Sequence, residues 1–173
     1  MTRTLALAAA VFVASAALGQ SATTNPPAAA GIVVGSGNYF SPIVRNLDAA
    51  IAFYRDGLGL EVSGAPSDAS ANPALRDMFG LPDATIRWAV ARTPAFAGGV
   101  EMIEIGNAGG AVLEQRIQDP GAMCFVVTVR DLDGTLARLK RLGAPVVSRG
   151  GEPVTIGGGT RIVVVRDPDG HFV

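Results

Sequence analysis

Val44-Arg45-Asn46-Leu47-Asp48-Ala49-Ala50-Ile51-Ala52 is written a second time as Val129-Arg130-Asp131-Leu132-Asp133-Gly134-Thr135-Leu136-Ala137, at a constant offset of 129 − 44 = 137 − 52 = 85 residues. In both copies an alternating apolar run comes before, and a helix-period run ending in Leu-Gly comes after. A unit used twice must pack against its own copy, so an internal repeat constrains architecture more tightly than any single motif.

Working outward from the first copy, Tyr39 to Arg45 reads as a short extended run with Phe40 and Val44 on one face. Asn46 is a good N-cap, Leu47, Ile51, Tyr54 and Leu58 follow at helical spacing, and Gly57 and Gly59 stop the helix. Leu60 to Ser63 reads as a strand. A Pro- and Ala-rich insert follows, with a short helix near Pro73 to Phe79. Ile86 to Arg92 and Gly99 to Ile105 are two more strands, joined by a turn through Pro94 to Gly98.

The second copy repeats this β-α-β-β-β order. Ala122 to Arg130 reads as a strand, and Asp131 caps a helix carrying Leu132, Leu136 and Leu139. Pro145 to Ser148 and Thr160 to Arg166 are strands, Asp167-Pro168-Asp169-Gly170 is a turn, and His171 to Val173 opens a last strand. Gly150-Gly151 and Gly157-Gly158-Gly159 read as hairpin turns rather than phosphate cradles, since neither opens a helix. The expected fold is α+β: two tandem βαβββ modules, 38–107 and 121–173, forming one open barrel-like sheet with helices outside.

Alternation assigns faces. Phe40, Val44, Phe125, Val127 and Val129 pack beneath the helices. Tyr39, Ser41, Ile43 and Arg45, with Cys124, Val126, Thr128 and Arg130, then line a shared concave trough. Such a trough is the usual location of a small-molecule site.

The ends and the composition narrow the partners. Arg3, the stretch Leu5 to Leu18, apolar or small except for Ser15, and the small residues Ala17 and Gly19 predict a signal peptide over 1–19 and export to the periplasm or medium. The apolar run falls short of the roughly 20 residues that span a bilayer, so no membrane contact is expected after cleavage. Residues 20–37 read as a flexible linker. A net charge of −1 with scattered basic residues gives no footprint for nucleic acid. Cys124 is the sole cysteine, which excludes an intramolecular disulfide and suits a buried packing residue.

VRNLDAAIAFYRDGLGLEV (44–62), its echo VRDLDGTLARLKRLGAPVV (129–147) and the closing RDPDGHFV (166–173) resemble the vicinal oxygen chelate superfamily. That group contains glyoxalase I, extradiol dioxygenases, methylmalonyl-CoA epimerase, fosfomycin-resistance enzymes and bleomycin-resistance proteins. The resemblance runs from about Asn38 to Val173. It implies four metal-ligand positions, one from the first and one from the last strand of each module. They fall on Tyr39, Glu101, Cys124 and the residue that would follow Val173, and Glu101 matches the family's residue type. A catalytic divalent ion needs three or four N/O donors and an open position. Tyr39 would have to ionise from a pKa near 10, and Cys124 favours zinc or copper. His171, the only imidazole, faces away from the trough by parity and reads as a turn residue.

The candidate residues carry alternatives. Glu101 is a ligand or general base, or a strand carboxylate paired with Arg45 or Arg87. Tyr39 is a hydroxyl donor or an aromatic plug. Arg45 and Arg130 grip an anionic ligand from both modules, or bridge to Asp48 and Asp133. Trp88 is core or pocket wall. The leading expectation is an exported small-molecule binding protein of glyoxalase/bleomycin-resistance type, without a cofactor, using Tyr39, Ser41, Arg45, Glu101, Cys124, Thr128 and Arg130. The alternative is a lyase, isomerase or extradiol-type dioxygenase dependent on a divalent metal (Fe, Mn, Zn, Ni or Mg), using Glu101 and a C-terminal carboxylate missing from this sequence. A homodimer through exposed sheet edges is the other expected partnership.

Overall fold

The structure, a computed structural model, describes residues 39–93 and 96–173. The expected signal peptide and linker lie outside the described residues, as does part of the turn through Pro94 to Gly98.

The repeat reappears first in the helix caps. Asn46 is extended, and its side-chain oxygen accepts from the Ala49 amide at 3.0 Å, which starts α1 at Leu47–Ala52. Asp131 does the same for Gly134 at 2.9 Å and starts the helix Leu132–Arg141. The two caps are equivalent by position, since 131 − 46 = 134 − 49 = 85. α1 widens into a π-helical turn at Phe53–Gly57. Gly59 then leaves the helical path at φ +76°, a conformation that costs glycine nothing.

The first copy builds a mixed six-stranded sheet. β1 (Tyr39–Phe40) and β2 (Ile43–Val44) run parallel to β6 (Phe96–Gly106). β5 (Thr85–Thr93) lies antiparallel on the other side of β6, and β3 (Glu61–Val62) and β4 (Ser67–Asp68) pair antiparallel with β5. Between β4 and β5, α2 (Pro73–Phe79) is capped by Asn72 and stopped by left-handed Gly80.

The second copy departs from expectation. The runs 122–130 and 145–148 form isolated bridges, Cys124 with Phe172 and Val146 with Val165, rather than continuous ladders. Its regular elements are the helix Leu132–Arg141, named α3, and the hairpin of β7 (Val154–Thr155) and β8 (Arg161–Ile162). The reason is hydrogen bonding. Among the described residues, no backbone hydrogen bond reaches Val126 to Arg130, and an extended run is a strand only when a neighbour accepts and donates to it. The Gly157–Gly159 turn does sit between β7 and β8, as the sequence suggests.

One core joins the two copies. Val44, Leu47, Tyr54, Val100 and Met102 share it with Phe125, Leu136, Leu139, Val165 and Val173. Gly57 permits the close approach of the first helical segment to α3, because a Cβ there would meet Leu139 Cδ2 at 2.5 Å. Among the described residues no helix is long and apolar enough to cross a membrane.

Candidate functional site

Register on β6 decides which side chains meet. Val100 and Met102 are fully buried, so Gly99, Glu101 and Ile103 take the other face. Directly opposite on β5 stand Arg92, Val90 and Trp88, and on the parallel side Tyr39 pairs with Gly99 and Ile43 with Ile103. Tyr39, Ser41, Ile43 and Arg45 are exposed, while Pro42 and Val44 between them are buried.

Glu101 accepts a hydrogen bond from the Ser41 hydroxyl at 3.1 Å. It pairs with neither Arg45 nor Arg87. Arg87 goes to Glu104 at 3.2 Å, and Glu104 in turn accepts the Leu47 amide at 2.7 Å, closing the start of α1. Arg45 is committed elsewhere. Its Nε and its backbone amide both donate to Asp169 Oδ1, at 2.9 and 3.1 Å, and its Nη2 donates to the Pro168 carbonyl. The partners weighed from sequence, Asp48 for Arg45 and Asp133 for Arg130, are taken by Arg87 and Arg161.

Arg92 is the residue that the sequence reading missed. Its guanidinium donates to the Tyr39 hydroxyl and stands 5.3 Å from the Tyr39 ring centroid. Gly99 makes this possible. A Cβ there would lie 2.7 Å from the Ala91 carbonyl, 3.0 Å from Arg92 Cγ and 3.3 Å from Tyr39 Cε1. The available signal was parity: Arg92 lies two and four residues from Val90 and Trp88, and so shares their face.

Thr128 and Arg130 line a cleft of about 690 Å³ between the second copy's first extended run and the β5–β6 end of the first copy. Arg92 and Gly99 form its other wall, with Leu58, Leu60, Phe125 and Val127 supplying apolar surface. Cys124 is exposed, in register with Phe172, and partial desolvation pushes its thiol above the ordinary value.

His171 lies on the opposite side of the chain from Phe172. Its ring meets Phe40 edge-on at 6.1 Å, and Nδ1 lies 2.9 Å from Asp167 Oδ2. Buried Asp167 also accepts from the Tyr54 hydroxyl at 3.0 Å and from the amides of Asp169 and His171. That carboxylate's hydrogen bond and charge, with the charge of Asp169, hold the His171 pKa above its usual value against the effect of burial. Burial first, then the Asp167 charge, push the Tyr54 phenol far up.

The sequence profile of the Glyoxalase/Bleomycin resistance protein/Dioxygenase superfamily matches residues 38–173. The chain belongs to this superfamily. Solved structures agree on the fold. A glyoxalase family protein from Bacillus cereus superposes with a TM-score of 0.65 at 24% identity, covering 83% of this chain and 93% of that one. The trypanothione-dependent glyoxalase I of Leishmania major gives 0.53 at 17% identity, covering 80% and 83%. A glyoxalase I mutant from Zea mays gives 0.55 at 20% identity, covering 78% of this chain but 42% of its own. No curated protein matches this sequence.

Proposed function

We propose that this chain is an exported member of its superfamily that binds a small molecule in a trough shared by two βαβββ modules, without a resident metal ion. The observation that carries this reading is the donor set. The positions corresponding to the family's ligands hold Tyr39, whose hydroxyl is engaged by Arg92, Glu101, which accepts from Ser41, and the thiol of Cys124. Among the described residues, no three His, Cys, Asp or Glu side chains gather as a metal-holding group. A divalent ion beside Tyr39 would also meet the fixed positive charge of Arg92. These residues do not fit a catalytic cation.

Of the expected site residues, Thr128 and Arg130 line the cleft and Tyr39, Ser41, Glu101 and Cys124 do not, and the cleft suits a small organic ligand. A cleft of about 690 Å³ is within the range of small-molecule sites, and it combines apolar walls with a few directed polar groups. Export is supported by the basic, apolar and small-residue pattern of 1–19.

Elemental analysis and N-terminal sequencing of protein purified from the export compartment test the two halves of the reading. The expected result is an N-terminus at Gln20 and less than stoichiometric metal. A stoichiometric divalent ion whose removal abolishes a measurable activity would overturn the metal-free reading, and an intact Met1 in secreted material would overturn the leader.

A further inference from the structure

We propose that the cleft takes an organic oxyanion carried on an apolar body, with the Arg92 guanidinium supplying positive charge from one wall. This rests on the binding function proposed above.

The charge balance of the cleft is one-sided. Arg92, Arg130 and Arg138 line it against a single carboxylate, Asp131, and Asp131 already caps α3 through the Gly134 amide. Among the described residues none of these three arginines forms an ion pair, a state they share with Arg76, Arg141, Arg149 and Arg166, while Arg45, Arg55, Arg87, Arg116 and Arg161 are paired. Arg138 is partly spent on the Gly57 carbonyl and the Thr135 hydroxyl. Arg130 makes no hydrogen bond among the described residues.

Arg92 is held differently. The Tyr39 hydroxyl takes one of its donors and the Tyr39 ring lies against its guanidinium, so the group is oriented before any ligand arrives. A guanidinium offers five N–H donors in a planar fork, and the donors left over match the two oxygens of a carboxylate or phosphate. Phe125, Val127, Leu58 and Leu60 then cover the remainder of the molecule with apolar surface. A neutral ligand of the same shape would cover the exposed Arg92 and Arg130 guanidiniums without supplying either with a counter-charge.

The test is calorimetric titration of the intact protein, at low salt, with matched pairs: 4-phenylbutyrate against its methyl ester, and phenyl phosphate against phenol. The expected result is that at least one oxyanion binds and its neutral partner binds about ten-fold or more weakly. Arg92→Gln then loses about ten-fold or more for the oxyanion and little for the neutral partner, and Arg92→Lys recovers part of the loss. Lysine keeps the charge, so it also serves if the glutamine variant fails to fold by circular dichroism. Equal binding of acid and ester, or an unchanged Arg92→Gln, overturns the oxyanion assignment and leaves a site for neutral molecules. Failure of all four probes, with no small molecule co-purifying, overturns the binding function itself. Comparing the two pairs decides between carboxylate and phosphate.

Discussion

Phe40 and Phe125 stack with ring centroids 5.1 Å apart and planes 9° from parallel, and 125 − 40 = 85 makes them the same residue of the two copies. The duplicated unit therefore touches its twin at an equivalent position. Phe125 is buried and Phe40 half-buried, so truncation is unequal. Phe125→Ala is expected to cost about 3 kcal/mol and Phe40→Ala less. The double variant is expected to cost less than the sum, because both lose one shared contact. Urea denaturation measures all three, and strict additivity would show that the stack contributes nothing of its own.

His171 makes stability depend on pH with a definite sign. Its folded pKa is raised above the ordinary imidazole value of 6.5, chiefly by the Asp167 hydrogen bond. The contribution is therefore fully present below about pH 6.5 and is lost as pH rises through the folded value. The stability difference between the parent and His171→Gln is expected to shrink from pH 5.5 to pH 9, about as far as a single ionisable pair allows. A constant or widening difference would remove the charged pair from the account.

Tyr54 is expected to stay protonated throughout the folded range. Phenolate absorbance from this residue then appears only with alkaline unfolding, which circular dichroism in the same titration detects. Tyr54→Phe leaves buried Asp167 short of one donor and is expected to cost about 1–3 kcal/mol.

Gly57 and Gly64 separate steric demand from backbone demand. At Gly57 an added methyl meets Leu139 and Leu142, so Gly57→Ala is expected to cost about 1–3 kcal/mol by forcing α3 outward. At Gly64 the space is open and only φ +72° resists, so Gly64→Ala is expected to cost about 1 kcal/mol. Thermal unfolding of both variants checks the order, and a Gly57→Ala variant as stable as the parent would mean that the two helical segments are not closely packed.

Much of the fold was legible because it depends on local signals. Asn46 and Asp131 cap where their side chains allow, α2 falls at Pro73–Phe79 as the insert suggests, and the exposure of Tyr39, Ser41, Ile43 and Arg45 follows from simple alternation. The site was less legible. Arg45 finds Asp169 across 124 residues and Glu101 finds Ser41 across 60, and such pairings depend on packing that no local pattern encodes. The same limit explains why the second copy's extended runs read as strands: periodicity reports which face is apolar, not whether a neighbour is there to bond.

The grip on the Asp167–Gly170 turn has a consequence for the order in which the chain folds. Tyr54 waits 113 residues for its acceptor and Arg45 waits 124 for its own, so both contacts close long loops. During synthesis the first copy is complete while its buried phenol still lacks a partner. Such an unfinished half is held back from full stability until the Asp167–Gly170 turn arrives.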